Sequence, residues 1–251
     1  MDIYQKIDNN KLIIDKIRPF EGHYLKQIRE YYRIGLTWSS NALEGNTLTE
    51  SETKILLEDG LTVAGKPLRD IYEAMGHSAA YDYIFKLIDQ KIINSGMIKE
   101  MHRLFYKDID EQEAGKWRKD RIIVTGSDYA FPAPEQIEEE MFRLDGWISS
   151  NRNTYHSVQF AALLHLKFVT IHPFIDGNGR VGRLLMNLAL IQDGYMLAIV
   201  PPVLRLEYIS AIKKYQQGSS NDTDGTDKEF CDFIADRVYE SQKEIIRLLQ
   251  L

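Results

Sequence analysis

The sequence is poor in cysteine and in excess positive charge, and it lacks long hydrophobic runs. Cys231 is the single thiol in 251 residues, so no intrachain disulfide can close and zinc sites built on cysteine pairs are excluded. The thiol itself reads as a small apolar residue on a buried helix face. Lys and Arg number 31 against 37 Asp and Glu, a formal net charge of -6. Nucleic-acid binders neutralise phosphates with a basic face, so nucleic-acid binding is set aside. No run is long enough to span a bilayer, and the opening MDIYQKIDNNKL is too polar for a secretory core. A cytoplasmic location without membrane association is expected. Neither an internal repeat nor a linker rich in Gly, Ser or Pro divides the chain into autonomous domains.

What the chain does have is helical periodicity. YLKQIREYYRIGLTWSSNAL, ETKILLEDGL, AAYDYIFKLIDQKI and QIEEEMFRLDGWIS space apolar residues by threes and fours. VQFAALLHLKFVTI, from Val158 to Ile171, is apolar nearly all round, which places a helix at the centre of the fold. VGRLLMNLALIQDGY reads as a second buried helix stopped by Gly194. The fold class is therefore all-α. One segment departs from it: DRIIVTGSDYAFPAP has a β-branched run at Ile122 to Val124, then turn residues, and predicts a small β-hairpin flap.

Two stretches imitate ligand-binding motifs and fail on chemistry. GLTVAGKP, Gly60 to Pro67, fits a phosphate loop up to its last position, where Pro67 has no hydroxyl for magnesium, and the segment before it is helical rather than a strand. It reads as a turn. The acidic loop GSSNDTDGTD resembles a calcium loop at Asp222, Asp224 and Gly225, but the first ligand position is Ser220 and the twelfth is Cys231. His165 lies in the apolar helix without ligand spacing and reads as a core residue.

Between the two most apolar helices stands HPFIDGNGRVGR, His172 to Arg183. Burying arginine and aspartate there without partners costs several kcal/mol, about 3–5 for a broken buried pair, so a plain interhelix connection is a poor account of it. Gly177 and Gly179 let the backbone turn sharply and approach a ligand, and the helix that follows opens with amides lacking internal partners. Such a helix start favours anions, and Arg180 and Arg183 add charge. Asp176 is placed to hold magnesium against the same phosphates, and His172 can take up a proton. A base, a metal ligand and an anion cradle together suit attack on a phosphoryl group.

These residues resemble the signature HxFx(D/E)GNGRxxR of the Fic (Fido) family of protein adenylyltransferases at every fixed position, and the likeness extends from about Trp38 to Val238. The resemblance implies a helical Fic fold with the flap beside the active site. It also implies an N-terminal helical region at 1–91 and a catalytic core with C-terminal helices at 92–251. His172 would deprotonate a hydroxyl of a target protein and Asp176 would coordinate Mg2+. Gly177, Asn178 and Gly179 would cradle the α- and β-phosphates of ATP, with Arg180 on phosphate oxygens and Arg183 on the γ-phosphate. AMP would pass to Ser, Thr or Tyr with release of pyrophosphate. Ile122, Ile123, Val124 and Thr125 would pair with the target backbone as an added strand. Asn187 and Tyr208 are candidates for the adenine pocket by position only. The target's identity is not legible, and a homodimer is possible.

Upstream, SNALEG taken alone is a helix end with one more surface carboxylate. It also matches the family's inhibitory motif (S/T)xxxE(G/N), with Ser40, Glu44 and Gly45 at the fixed positions, which implies that Glu44 pairs with Arg183. Three alternatives stay open: removal of AMP at the same site, transfer from another nucleotide donor, and a non-enzymatic nucleotide-binding module.

Overall fold

The computed structural model describes residues 2–19, 22–62, 64–124, 128–218 and 227–250, with backbone only for residues 23–25. Helices dominate, and local sequence sets their ends. α1 (Ile3–Asp15) opens on a capping box in which Asp2 accepts from the Gln5 amide and Gln5 returns the contact. α2 (Gly22–Ala42) is followed by a turn in which Gly45 takes φ 97°. α3 (Glu50–Asp59) has a second capping box, Thr49 with Glu52, and stops at the left-handed Gly60. The phosphate-loop look-alike is thus a connection between helices, with Pro67 at the cap of α4 (Leu68–Lys86).

α5 (Ser95–Tyr106) starts at the Asn94 cap, α6 covers Ile137–Asn151, and α7 covers Ser157–Ile171. α8 (Asn178–Gln192), α9 (Arg205–Gly218) and α10 (Lys228–Leu248) complete the chain. α7 and α8 pack together as the central pair, and the positions of α8 from Arg180 to Leu190 are all buried. α10 and α6 lie against α7, while α4, α5 and α2 lie against α8. The loop between the central helices is held from both sides. Cys231 is buried at 1% exposure and has no disulfide. Among the described residues no helix is long and apolar enough to cross a membrane.

The expected flap hairpin is not shown. Ile122, Ile123 and Val124 form no strand, Ile123 is 97% exposed, and no β-ladder is present among the described residues. Ile123 is exposed between half-buried Ile122 and Val124, and residues 125–127, where the turn is expected, lie outside the described residues. Thr125 lies outside the described residues, as does the calcium-loop look-alike at 219–226.

Candidate active site

His172 caps the C-terminus of α7 in the left-handed conformation, φ 53° and ψ 59°. That conformation is uncommon for a residue with a Cβ, and the surrounding contacts maintain it. Its amide donates to Phe168 O at 3.0 Å, and the buried Arg118 donates through Nε to His172 O at 2.8 Å. The amide of Arg118 also donates to Pro173 O at 2.9 Å, while its Nη1 and Nη2 reach Asp120 O and Pro132 O at 3.0 and 2.6 Å. One guanidinium therefore ties the base to the segment of the expected flap. His172 Nδ1 lies 3.1 Å from Val169 O. A carbonyl can only accept, so Nδ1 carries the proton and Nε2 offers its lone pair. Burial pushes the imidazole down to about 4, the Val169 contact opposes the shift, and Arg118 adds to it. Phe131 packs on the ring at 4.7 Å.

The loop after His172 is closed by Asn178, whose side chain accepts from Phe174 N at 2.9 Å and donates to Phe174 O at 2.8 Å. The Asn178 side chain is thus consumed inside the loop, and only its backbone amide can serve an anion. Gly177 takes φ 80° at the N-cap of α8, where a Cβ would stand 2.7 Å from Phe105 Cε1. At Gly179 a Cβ would collide with Glu44 Oε1. The Glu44 carboxylate therefore lies over the first turn of α8, where unpartnered amides attract negative charge.

The same carboxylate meets Arg183. Glu44 Oε1 accepts from Arg183 Nη2 at 2.7 Å, while Ser40 Oγ and Ser40 O take Nε and Nη2 at 2.9 and 2.7 Å. Arg183 Nη1 donates to Tyr208 OH at 3.1 Å, and Tyr208 lies 2.8 Å from His165 Nε2. The guanidinium is satisfied in the interior by α2 and α9. Burial alone would raise the Glu44 carboxyl, but Arg183 and then Arg180 hold it below its ordinary value. Gly45 lies at the turn that ends this element, and Arg205 Nε clamps it by donating to Leu43 O at 2.7 Å.

Arg180 is arranged differently from Arg183. It is buried, stacks on Phe105 at 4.6 Å, and bonds Glu73 Oε1 at 2.8 Å and Asp176 Oδ1 at 3.1 Å. Asp176 Oδ1 also accepts from Gly177 N at 2.6 Å, and Oδ2 accepts from Arg69 Nη2 at 2.5 Å. Its carboxyl is lowered: burial opposes ionisation, but Arg180, the Gly177 amide and Arg69 outweigh it. His102 Nε2 lies 3.1 Å from Asp176 O, and its ring stacks on Phe174 at 3.7 Å.

The adenine expectation for Asn187 and Tyr208 is corrected. Asn187 is fully buried, and its amide bridges Arg183 O, Ala198 O and Ala198 N at 2.9, 3.1 and 2.7 Å. It fastens α8 to the segment before α9. Tyr208 lies behind Arg183 with its hydroxyl engaged on both sides, so neither side chain is open to a base. His165 is a core residue with Nε2 on Tyr208 and Nδ1 without a partner. Glu73, Arg69, Arg118 and His102 escape a reading of the sequence, since none stands in a motif; His102 and Glu73 lie on helices like ordinary buried positions.

Residues 92–190 match the model of the Fic/DOC family. "Protein adenylyltransferase Fic" of Drosophila yakuba is 35% identical over 234 residues, covering 92% of this chain and 45% of that protein. The Drosophila melanogaster protein of the same name is 34% identical over 92% of this chain and 46% of its own length. The chain spans about half the length of these relatives. Among solved structures, a Fic domain containing signaling protein from Bacteroides thetaiotaomicron superposes with TM-score 0.85 at 25% identity, covering 96% of this chain and 95% of the other. Fic-1 (residues 134–508) from C. elegans gives 0.84 at 28% identity, over 99% and 72%. With the motif, the fold and these likenesses in agreement, the chain belongs to the Fic/DOC family.

Proposed function

We propose that this protein is an adenylyltransferase that moves AMP from ATP to a Ser, Thr or Tyr hydroxyl of a target protein, and that Glu44 restrains it. The observation that carries the reading is the position of the Glu44 carboxylate. It lies over Gly179 and on Arg183, in the place that suits a phosphate. A carboxylate drawn to that place reports what the cradle is built to attract, an anion at a helix start beside a buried cation.

The chemistry follows from the residues. The Nε2 lone pair of His172 takes the proton of the target hydroxyl as its oxygen bonds to the α-phosphorus of ATP. The bond from that phosphorus to the bridging oxygen of pyrophosphate breaks, and pyrophosphate leaves. A histidine held near 4 is neutral at pH 7 and free to accept. The negative charge of an arriving nucleotide raises its proton affinity towards the range in which a general base is most effective. The α8 amides and Arg183 hold the phosphates, so the protein contributes positioning and charge stabilisation.

Asp176 fits a magnesium ion of the kind that travels with a nucleotide. It is an ionised, half-exposed carboxylate at the cradle, and no cluster of three metal-ligating side chains accompanies it among the described residues. Such an ion takes one or two carboxylates and fills its remaining positions with phosphate and water. When bound it neutralises phosphate charge. A cytoplasmic location and self-association accompany this reading as expectations.

The test is an incubation of the Glu44→Gly variant with a protein lysate and ATP labelled at either the α- or the γ-phosphate. Label retained on protein from the α position alone supports AMP transfer, and His172→Ala in the same background should abolish it. Retention from the γ position, or only from a different nucleotide, contradicts the reading.

A further inference from the structure

Asp176 Oδ1 is occupied from within its own loop and helix, by the Gly177 amide and Arg180. Asp176 Oδ2 is occupied from outside, by Arg69 Nη2 at 2.5 Å. Arg69 stands one turn before Glu73 on α4, and its Nε donates to Glu73 Oε1 at 3.1 Å. The two arginines differ in one respect that decides their roles. The Arg180 side chain is 4% exposed and stacked on Phe105, so it cannot leave without a large rearrangement, whereas the Arg69 side chain is 55% exposed.

We infer that Arg69 is a resident cation that competes with the divalent metal for Asp176, and so sets how tightly the site takes metal. The inference rests on the reading of Asp176 as the magnesium ligand. A magnesium ion needs an oxygen of this carboxylate, and Oδ2 is the one not tied to the catalytic loop. Arg69 can yield it with little disturbance. The side chain is more than half exposed, while the Nε contact to Glu73 and the neighbouring Tyr106 hydroxyl keep it tethered nearby. An exposed guanidinium regains hydration when it lets go, so the pair is weak enough to exchange. A metal arriving at Oδ2 also meets the charge of Arg69, and both effects lower metal affinity. Arg69 acts through Asp176 and is a positioning residue rather than a catalytic one.

The direction of the effect separates competition from scaffolding. If Arg69 merely held Asp176 in place, its loss would weaken metal binding; if it competes, its loss strengthens binding. Mn2+ is the probe, and its free concentration is read by electron paramagnetic resonance during titration of the whole protein, in excess over a non-hydrolysable ATP analogue. Arg69→Gln, which keeps a good helix former on a half-exposed face, is expected to bind Mn2+ about fivefold more tightly than the wild type. Arg69→Lys, which restores a cation, is expected to return most of the way. Unchanged or weaker binding by Arg69→Gln overturns the inference. Asp176→Asn is the companion measurement: Mn2+ binding equal to wild type in that variant removes Asp176 as the metal ligand and takes the inference with it. Loss of Mn2+ binding in Asp176→Asn with no change in Arg69→Gln refutes the competition alone.

Discussion

Replacing Glu44 by glycine removes the carboxylate that lies over the cradle and leaves most of its surroundings intact. Arg183 loses one contact of 2.7 Å and keeps three: Ser40 Oγ at 2.9 Å, Ser40 O at 2.7 Å and Tyr208 OH at 3.1 Å. The guanidinium is therefore not left bare, and the loss of stability should fall below the 3–5 kcal/mol, roughly, that accompanies breaking a buried pair outright. The gain in ligand binding has a different origin. A charge-assisted hydrogen bond is worth about 1.5–3 kcal/mol, and an anionic nucleotide must displace it to reach Arg183. The apparent Kd for ATP should accordingly fall by roughly 10- to 100-fold in Glu44→Gly. Isothermal titration with a non-hydrolysable ATP analogue measures this without any target protein. Glu44→Gln separates charge from volume: it keeps the atoms that cover Gly179 but removes the full charge, so its Kd should lie between the two. If Glu44→Gly binds the analogue no more tightly than the wild type, the carboxylate does not compete for the cradle and the latch reasoning fails.

Three further outcomes follow from the geometry. Arg118→Met removes both a clamp on the His172 carbonyl and a positive charge near the ring. Turnover should fall by about tenfold or more, with nucleotide affinity unchanged and the acid limb of the pH–rate profile moved to higher pH; an unmoved limb would count against the clamp. His77 and His165 are fully buried, and burial depresses each to about 3 from an ordinary 6.5. Below pH 6.5 the unfolded chain binds protons that the folded chain refuses, so stability rises with pH across this window and is lost on acidification. The loss should approach roughly 1.4 kcal/mol per pH unit for each histidine, and urea unfolding that gives a flat stability between pH 6.5 and 5 would refute it. Gly177→Ala forces a side chain into φ 80° and against Phe105, at a cost of about 1–3 kcal/mol. Gly146→Ala, on the exposed face of α6 with nothing within 4 Å of the new Cβ, should instead stabilise by about 0.5–1 kcal/mol; equal denaturation midpoints for the two variants would show that local backbone geometry does not decide.

The catalytic loop was legible because its chemistry is local. His172, Asp176, the glycines and Arg183 lie within twelve residues, and a turn between helices brings such neighbours together whatever the rest of the chain does. The central helices were legible for a related reason, since a segment apolar on all sides has no place but the interior. The helices at Ser95–Tyr106 and Arg205–Gly218 carry no comparable signal at a site, and the side chains they supply, His102 and Arg205, acquire meaning only where they pack.

Other positions depend on packing that no local pattern reveals. Asn187 and Tyr208 follow the motif at plausible distances, but close packing turns some buried polar groups into internal ties. Asn187 became a bridge to Ala198 and Tyr208 a support behind Arg183. Ile122 to Val124 had the composition of a strand but no partner to pair with among the described residues. By itself the sequence determined a helical protein with an anion-seeking loop between its two central helices, because periodicity and contiguous chemistry survive without a fold. Only the tertiary structure decided the charge partners that no motif marks. The Glu44–Arg183 contact, implied by the resemblance, forms across 139 residues, and Arg69, which stands in no motif, reaches Asp176 across 107, because α2 and α4 pack beside the start of α8. Electrostatic partners are chosen by distance in space, to which spacing along the chain is blind.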